Sequence, residues 1–225
     1  MCIRDSTLTP SSPVTLSWTN NKNITFKINY QVDDEYMFTI TQEIENNSGE
    51  DIEVFPYRLI KRINTPDTIN FFILHEGLIS LINDELLEKN YDDIADDCNS
   101  SMQTKKEFCD NKTQGGWLGF TDKYWMSALI PDADQSINVN YRYGNNGRDS
   151  YRAGYVGQIY KINSGENISY GGKLFVGAKK LNVLSAYDEN LSIPRFTDAI
   201  DWGWFSFLTK PVSYAINWFF GYAGN

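Results

Sequence analysis

The side chains that could carry catalysis are few in this sequence. His75 is the single histidine, so a Ser-His-Asp triad or a multi-histidine metal site would have to be built around it. It follows the apolar run of residues 71–74, at the expected end of a strand, where a histidine that only satisfies the structure is expected. A sugar-epimerising site combines histidines with a carboxylate base, and one histidine cannot complete it. We therefore predict no catalytic residue and no cofactor.

The longest acidic stretch covers residues 91–97, which read YDDIADD. Its carboxylates could be considered as calcium ligands, but a calcium loop alternates oxygen ligands around a glycine turn, and that pattern is missing from this stretch. A run of like charges is typical of a solvated segment. We therefore predict a solvated acidic loop, within an irregular region from about residue 84 to residue 114.

The cysteine spacing points to a disulfide rather than to a metal. Cys98 and Cys109 bracket a short polar segment, whereas the third cysteine, Cys2, lies near the beginning of the chain. Structural zinc takes four ligands, and the sequence has neither a Cys-x-x-Cys pair nor a histidine near these cysteines. The spacing favours a local disulfide between Cys98 and Cys109, and we expect no metal site.

Overall charge argues against nucleic acid as a partner. The chain carries 29 acidic and 20 basic residues, with a net charge of −9. A phosphate backbone is recruited by clustered lysine and arginine, so an acidic chain of this kind is a poor candidate.

The C-terminal segment is the part of the sequence with the most pronounced composition. Nine aromatic residues lie between residues 202 and 222, and helical winding at about 100° per residue places most of them on one broad face. Ser206, Thr209, Lys210, Ser213 and Asn217 share the other face. Tryptophan and tyrosine favour the lipid headgroup zone, which predicts an amphipathic helix lying flat on a membrane. A helix packed on the rest of the protein is the alternative. The residues expected to contact the membrane are Trp202, Trp204, Phe205, Phe207, Leu208, Val212, Tyr214, Trp218, Phe219 and Tyr222.

Strands must position these residues, because apolar and polar residues alternate with a period of two along most of the chain. Roughly a dozen strands in about 170 residues, with almost no helical periodicity before the end, predict an all-β fold with a large antiparallel two-sheet sandwich. A short helix near residues 179–190 is expected to pack on it, with Leu181, Leu184 and Tyr187 at helical spacing. No stretch reaches the ~18 to 20 unbroken apolar residues of a membrane span.

Three segments organise the chain in this interpretation. Residues 1–7 are a non-native or truncated leader, because their beginning lacks the apolar core of a signal peptide. Residues 8–196 form the sandwich, and residues 197–225 form the amphipathic helix. A chain cut after Pro194 is expected to leave a folded sandwich that no longer binds membranes.

Motifs from the whole chain point to one family. They are SPVTLSW, VDDEYMFT and FPYRLI between residues 12 and 60, then LHEG and GGWLGFTDKYW between residues 74 and 125, and finally LFVGAKK, IPRF and IDWGWF between residues 174 and 205. Together they resemble the periplasmic portion of the YidC family of bacterial inner-membrane protein insertases and chaperones. The likeness extends from Leu8 to Asn225, and the combination of motifs is specific.

The resemblance implies more than the residues do. It implies a periplasmic β-supersandwich similar to mutarotase folds, then an interfacial helix leading to a membrane helix outside this chain. It implies a non-enzymatic scaffolding and interaction role at the periplasmic face of the bacterial inner membrane. The implied partners are the lipid bilayer surface, the Sec translocon with its accessory subunits, and nascent membrane proteins received by the membrane region. A carbohydrate-binding or sugar-epimerising sandwich is the alternative function.

Overall fold

The structure is a computed structural model that describes residues 7–68, 74–101, 106–203 and 205–223. Its strands are β1 (Val14–Thr19), β2 (Ile24–Val32), β3 (Met37–Asn46), β4 (Ile52–Val54), β5 (Tyr57–Ile63), β6 (Gly77–Ile82), β7 (Glu85–Lys89), β8 (Asp110–Gln114), β9 (Trp117–Thr121), β10 (Trp125–Ile130), β11 (Ser136–Asn145), β12 (Asp149–Val156), β13 (Tyr160–Ile162), β14 (Asn167–Tyr170) and β15 (Lys173–Ala178). Its α-helices are α1 (Tyr91–Asp97), α2 (Leu181–Leu191) and α3 (Ser206–Ala223), and 3-10 turns occur at Glu107–Cys109 and Phe196–Ala199.

The strands form one large and one small antiparallel sheet. The large sheet has the order β1-β2-β3-β15-β10-β9-β6-β7, with β14 also paired to β3. The small sheet has the order β5-β12-β11-β8, and β13 and β4 form a separate pair. Every pairing between these strands is antiparallel. The predicted all-β antiparallel architecture is confirmed.

Two apolar cores cover the two faces of the large sheet. Between the sheets, Leu78 and Phe120 of the large sheet belong to the same cluster as Tyr141 of the small sheet. On the opposite face, Trp117 packs in a second cluster with residues of α2 and of the Phe196–Ala199 turn. All six residues of β6 are buried, because both faces of this strand are covered.

Residues 84–114 correct the expectation of an irregular region with a solvated acidic loop. They contain β7, α1, a 3-10 turn and β8. The Asn90 side chain accepts a hydrogen bond from the backbone N–H of Asp93, and the Asp93 carboxylate accepts one from the backbone N–H of Asn90, so a capping box begins α1. Tyr91 and Ile94 lie three residues apart on one side of α1 and are buried. The acidic residues of the stretch are carried by an anchored helix.

The connection from α2 to α3 also corrects one expectation. The predicted helix near residues 179–190 is present as α2, which buries Val183, Leu184 and Tyr187. Beyond it, Phe196 is fully buried, with its ring 5.5 Å from that of Trp117 and 5.6 Å from that of Phe175, measured between centroids. A cut after Pro194 would remove this ring from the core, so it would not leave an intact sandwich.

Three stretches whose alternation predicts one strand each, residues 52–63, 151–162 and 168–176, are each divided into two strands in the structure, and residues 151–162 become β12 and β13 in different sheets. Residues 52–63, expected as one strand with a bulge or an edge at Pro56, are divided into β4 and β5, which lie in different sheets. Residues 168–176 are divided into β14 and β15 by two glycines. The strand expected at residues 71–74 lies outside the described residues except for its last position.

Candidate membrane-interface site

Apolar side chains on α3 face solvent around most of the helix. Phe207 is 77% exposed, Ile216 63% and Trp218 60%. The same holds for further apolar side chains on or beside α3, namely Phe205, Leu208, Val212, Tyr214 and Phe219. A helix packed on the sandwich through its apolar face would bury them, as α2 buries Val183 and Leu184. The arc formed by residues 205, 207, 208, 212, 214, 216, 218 and 219, called the apolar arc below, is left uncovered by the sandwich.

The polar strip of α3 is the side that meets the rest of the protein. Thr209, Lys210 and Ser213 are half-buried, unlike their apolar neighbours. The Thr209 hydroxyl donates to the carbonyl oxygen of Trp202 at 2.8 Å. The Lys210 ammonium lies 2.6 Å from a carboxylate oxygen of Asp198 and 5.4 Å from the centre of the Trp202 ring. The helix is therefore attached through its polar side, which directs the apolar arc outward.

Asp198 is the centre of this attachment. Besides Lys210, its carboxylate accepts from the Arg195 guanidinium at 2.8 Å, and Arg195 also donates to the backbone carbonyl of Asp84 at 2.7 Å. Burial of the Asp198 carboxyl acts to raise its pKa, but the Lys210 and Arg195 cations outweigh that effect and hold the pKa below its usual value. The network links α3, the Phe196–Ala199 turn and the β6–β7 hairpin.

Asp201 makes a second connection between the sandwich and the segment that leads into α3. Its carboxylate lies 3.1 Å from the ammonium of Lys179, which is only 4% exposed, and accepts from the backbone N–H of His75 at 2.9 Å. The His75 ring nitrogen Nε2 lies 2.8 Å from the carbonyl oxygen of Leu78. The single histidine of the chain therefore has a structural role here, close to the joint with α3.

The residues expected at the membrane fall into three groups in the structure. Residues 205, 207, 208, 212, 214, 218 and 219 lie on the apolar arc. Trp202 is half-buried instead, and its indole N–H donates to the carbonyl of Thr197 at 2.9 Å. The side chains of Trp204 and Tyr222 lie outside the description. In the described part of the chain, no helix has both the length and the apolar content required to cross a membrane.

Sequence reasoning missed the charged residues that hold α3 in place. Arg195, Asp198, Asp201 and Lys179 come from loops and turns, where no periodic pattern places a side chain. One signal was available, because Lys210 is the only charged residue of α3. A lone cation on the polar strip of an apolar helix is a candidate for an ion pair with a nearby acid.

Cys98 and Cys109 are joined by a disulfide in the structure, with Cα atoms 5.6 Å apart. Both cysteines are fully buried and belong to the core between the two sheets. The bridge closes the segment after α1 onto the 3-10 turn before β8. Across the described ranges, no three or more His, Cys, Asp or Glu side chains are grouped so that they could hold a metal ion.

A family model and curated relatives of this chain carry the same family name. The model of the family described as YidC periplasmic domain matches residues 3–215. A protein of Rickettsia canadensis named membrane protein insertase YidC is 40% identical over 97% of this chain and 38% of its own length. One of Dinoroseobacter shibae with the same name is 38% identical over 94% of this chain and 35% of its own length. The chain thus spans less than two fifths of these curated relatives. Among solved structures, a TPR-domain containing protein from Parabacteroides distasonis aligns with a TM-score of 0.44 and 12% identity, over 74% of this chain and 32% of that one.

Proposed function

This chain belongs to the YidC periplasmic-domain family, and on that premise we propose that it forms the periplasmic scaffolding and interaction region of a membrane protein insertase and chaperone. In this proposal the sandwich stands at the periplasmic face of the bacterial inner membrane. In this proposal the insertion activity belongs to the whole protein, because a curated relative with this domain is more than twice as long as the present chain. The role of the present chain is to place a folded body at the membrane surface.

The observation that carries the proposal is the orientation of α3. Its polar strip contacts the sandwich at Asp198 and Trp202, whereas its apolar arc is exposed. A large exposed apolar surface marks a binding site in a soluble domain. Aromatic side chains that carry a polar group, such as Trp218 and Tyr214, are favoured at the boundary between headgroups and acyl chains. The apolar arc therefore suits a helix that lies in the plane of a membrane surface.

The attachment network would set the position of the sandwich above the bilayer. Lys210 and Thr209 hold α3 to the Phe196–Ala199 turn and to Trp202, and Asp201 holds the preceding segment to Lys179. Because these contacts lie on the side of α3 away from the apolar arc, they remain available when the arc is buried in lipid. A rigid joint of this kind transmits the height and tilt of the helix to the body.

The proposed partners follow from family membership. They are the lipid bilayer surface, the Sec translocon with its accessory subunits, and nascent membrane proteins that reach the complex through the membrane region. A test of the translocon contact is site-specific photo-crosslinking in cells from positions across the small sheet and α3. Crosslinks to translocon subunits are the expected result, and crosslinks to none of them from any position would contradict that part of the proposal.

Flotation with liposomes tests the membrane contact. The 225-residue chain should float with vesicles, because partial burial of the apolar arc is worth on the order of 5 to 10 kcal/mol before ordering costs. The triple variant Phe207→Ser, Leu208→Ser, Phe219→Ser should stay in the soluble fraction with an unchanged unfolding midpoint. Ser213→Ala, on the polar strip, is the matched control and should float like the parent.

Two results would contradict the interfacial proposal. One is a parent chain that does not float at any lipid concentration used. The other is a triple variant that unfolds, since the apolar arc would then belong to the core. Salt should weaken flotation little, because Lys210 is the only charged residue of α3 and is already paired with Asp198.

A further inference from the structure

The outward face of the small sheet carries a row of three cations. Lys61 of β5 lies opposite Arg152 of β12, and Arg152 lies opposite Arg142 of β11. Residues directly opposite each other on adjacent strands point to the same face of a sheet. That face is the outer one, because Ile60, Tyr151, Ala153 and Tyr141, the neighbours along the three strands, point into the core. We call Lys61, Arg152 and Arg142 the cation row.

The local charge of this face is opposite to that of the whole protein. Its charged side chains are four cations, the cation row and Lys112 of β8, and one carboxylate, that of Asp110. Arg142 is partly neutralised, since it donates to Asp110 and to the backbone carbonyl of Cys109. Lys61 and Arg152 are exposed, and within the described part of the chain neither makes a hydrogen bond or an ion pair. A basic surface on a chain of net charge −9 is a local feature.

Folding does not explain the cation row. Like charges placed opposite each other on neighbouring strands repel, so this arrangement lowers the stability of the sheet. Lys61 and Arg152 are both exposed, and among the described residues neither gains a hydrogen bond or an ion pair that would compensate. Uncharged residues of similar length would serve the strands better. A destabilising, exposed arrangement of this kind is accounted for most simply by a ligand with the opposite charge.

The surface beside the cation row has the shape and the donors that an acidic peptide needs. A shallow depression of about 410 Å³ lies over β8, β11 and β12, and its lining includes Asn138, Asn140, Lys112 and Arg142. Asparagine amides and these cations can all donate hydrogen bonds to carboxylates. On the other side of the row, β5 exposes Leu59 and Ile63, which offer apolar contacts. We propose that this face binds an acidic segment of a partner protein.

The layers of the fold favour a protein over a lipid surface as the occupant. α3 is attached to the Phe196–Ala199 turn, and Phe196 packs against Trp117 and Phe175 on the outer face of the large sheet. The cation row lies on the outer face of the small sheet, so both sheets separate it from that layer. If α3 lies on a bilayer, the cation row points away from the layer that contacts lipid. Anionic headgroups are therefore the less suitable ligand.

Binding to a labelled poly-glutamate peptide tests the proposal on the 225-residue chain. The double variant Lys61→Gln, Arg152→Gln should weaken peptide binding roughly three- to tenfold at low salt. Its unfolding midpoint should be equal to or above that of the parent. The matched control is Lys22→Gln, Lys123→Gln, which makes the same change in net charge at exposed positions in loops of the large sheet. The control should bind like the parent. Added salt should weaken peptide binding by the parent and by the control.

Three outcomes would overturn the proposal. The first is a parent chain with no measurable affinity for the peptide at low salt. The second is equal weakening by the double variant and its control, which would show a response to net charge alone. The third is a loss of binding to anionic vesicles in the double variant, which would assign the cation row to lipid headgroups. The first two outcomes do not depend on α3, so the interfacial proposal is tested separately.

Discussion

The sandwich and α3 use aromatic side chains in opposite ways. In the sandwich, Trp117, Phe175 and Phe196 are fully buried and meet edge to face. On α3, Phe207 and Phe219 are 77% and 62% exposed. Aromatic side chains therefore stabilise the sandwich by their burial, whereas on α3 they leave an apolar surface exposed for contact with another surface. The difference teaches that aromatic content alone does not identify a core, and that the side on which a helix carries its polar contacts decides where its apolar residues go.

The sharpest test of this contrast is a matched pair of phenylalanine substitutions. Phe196→Ala should lower the free energy of unfolding by about 3 to 5 kcal/mol, because it opens a cavity between Trp117 and Phe175. Phe207→Ala should change it by less than about 0.5 kcal/mol, since the ring is exposed. Urea denaturation followed by circular dichroism measures both. Equal losses of unfolding free energy in the two variants would contradict the distinction between the buried aromatic core and the exposed apolar arc.

Removing the disulfide tests whether the sandwich can be destabilised without any effect on membrane binding by α3. Replacing Cys98 and Cys109 together by alanine should cost about 3 kcal/mol in unfolding free energy, from the length of the closed loop. Vesicle flotation should be unchanged, because the bridge lies in the core between the sheets and α3 is attached elsewhere. Urea denaturation and flotation measure the two effects. Cys2→Ala is the control, and a flotation defect in the double variant alone would show that the two regions are coupled.

The joint between the regions should respond more weakly. Asp198→Asn removes the carboxylate that Lys210 and Arg195 share, and charge-assisted hydrogen bonds of this kind are worth about 1.5 to 3 kcal/mol at most. We expect faster hydrogen exchange in the first turns of α3, by roughly tenfold. The exposed Asp34→Asn is the matched control. Unchanged exchange in Asp198→Asn would mean that the ion pairs do not hold the helix.

Protonation of Asp198 at acid pH should loosen the attachment of α3 to the sandwich, and this effect should be the smallest of those predicted here. The pKa of Asp198 is lowered in the folded protein, so the ionised carboxylate stabilises the joint at every pH above the usual aspartate value of about 4. This contribution is lost as the pH falls through the lowered pKa. Hydrogen exchange in α3 of the parent should therefore gain a step below about pH 4, and Asp198→Asn should lack it. A step of equal size in both proteins would assign the response to another group.

Sequence patterns predicted the strands well because alternation reports directly on burial. The residues of β11 alternate, and its apolar residues Ile137, Val139 and Tyr141 are buried whereas the polar residues between them are less buried. The prediction of an irregular region at residues 84–114 was wrong. The polar character of the stretch YDDIADD outweighed a local helix signal, the capping box of Asn90 and Asp93. The division of residues 52–63 into β4 and β5 escaped prediction because a chain that passes from one sheet to another keeps the same period of two.

For the candidate site, the helix could be predicted and its attachment could not. The separation of apolar and polar residues on α3 is a property of consecutive residues, so it is visible in the sequence. The ion pairs of Asp198 and Asp201 join residues that only the folded backbone brings together. The burial of Phe196 likewise depends on residues that only the folded backbone brings together. A truncation that keeps the core intact should therefore be made after Gly203.

The central claim is that the apolar arc faces lipid while the polar strip faces the sandwich, and an environment-sensitive fluorophore on each side tests it most directly. In a Cys2→Ser background, Phe207→Cys and Ser213→Cys are labelled separately and mixed with vesicles of inner-membrane lipids. The account predicts a blue shift and increased intensity at position 207, with no change at position 213. A shift at position 213 alone, or no shift at either position, would contradict it.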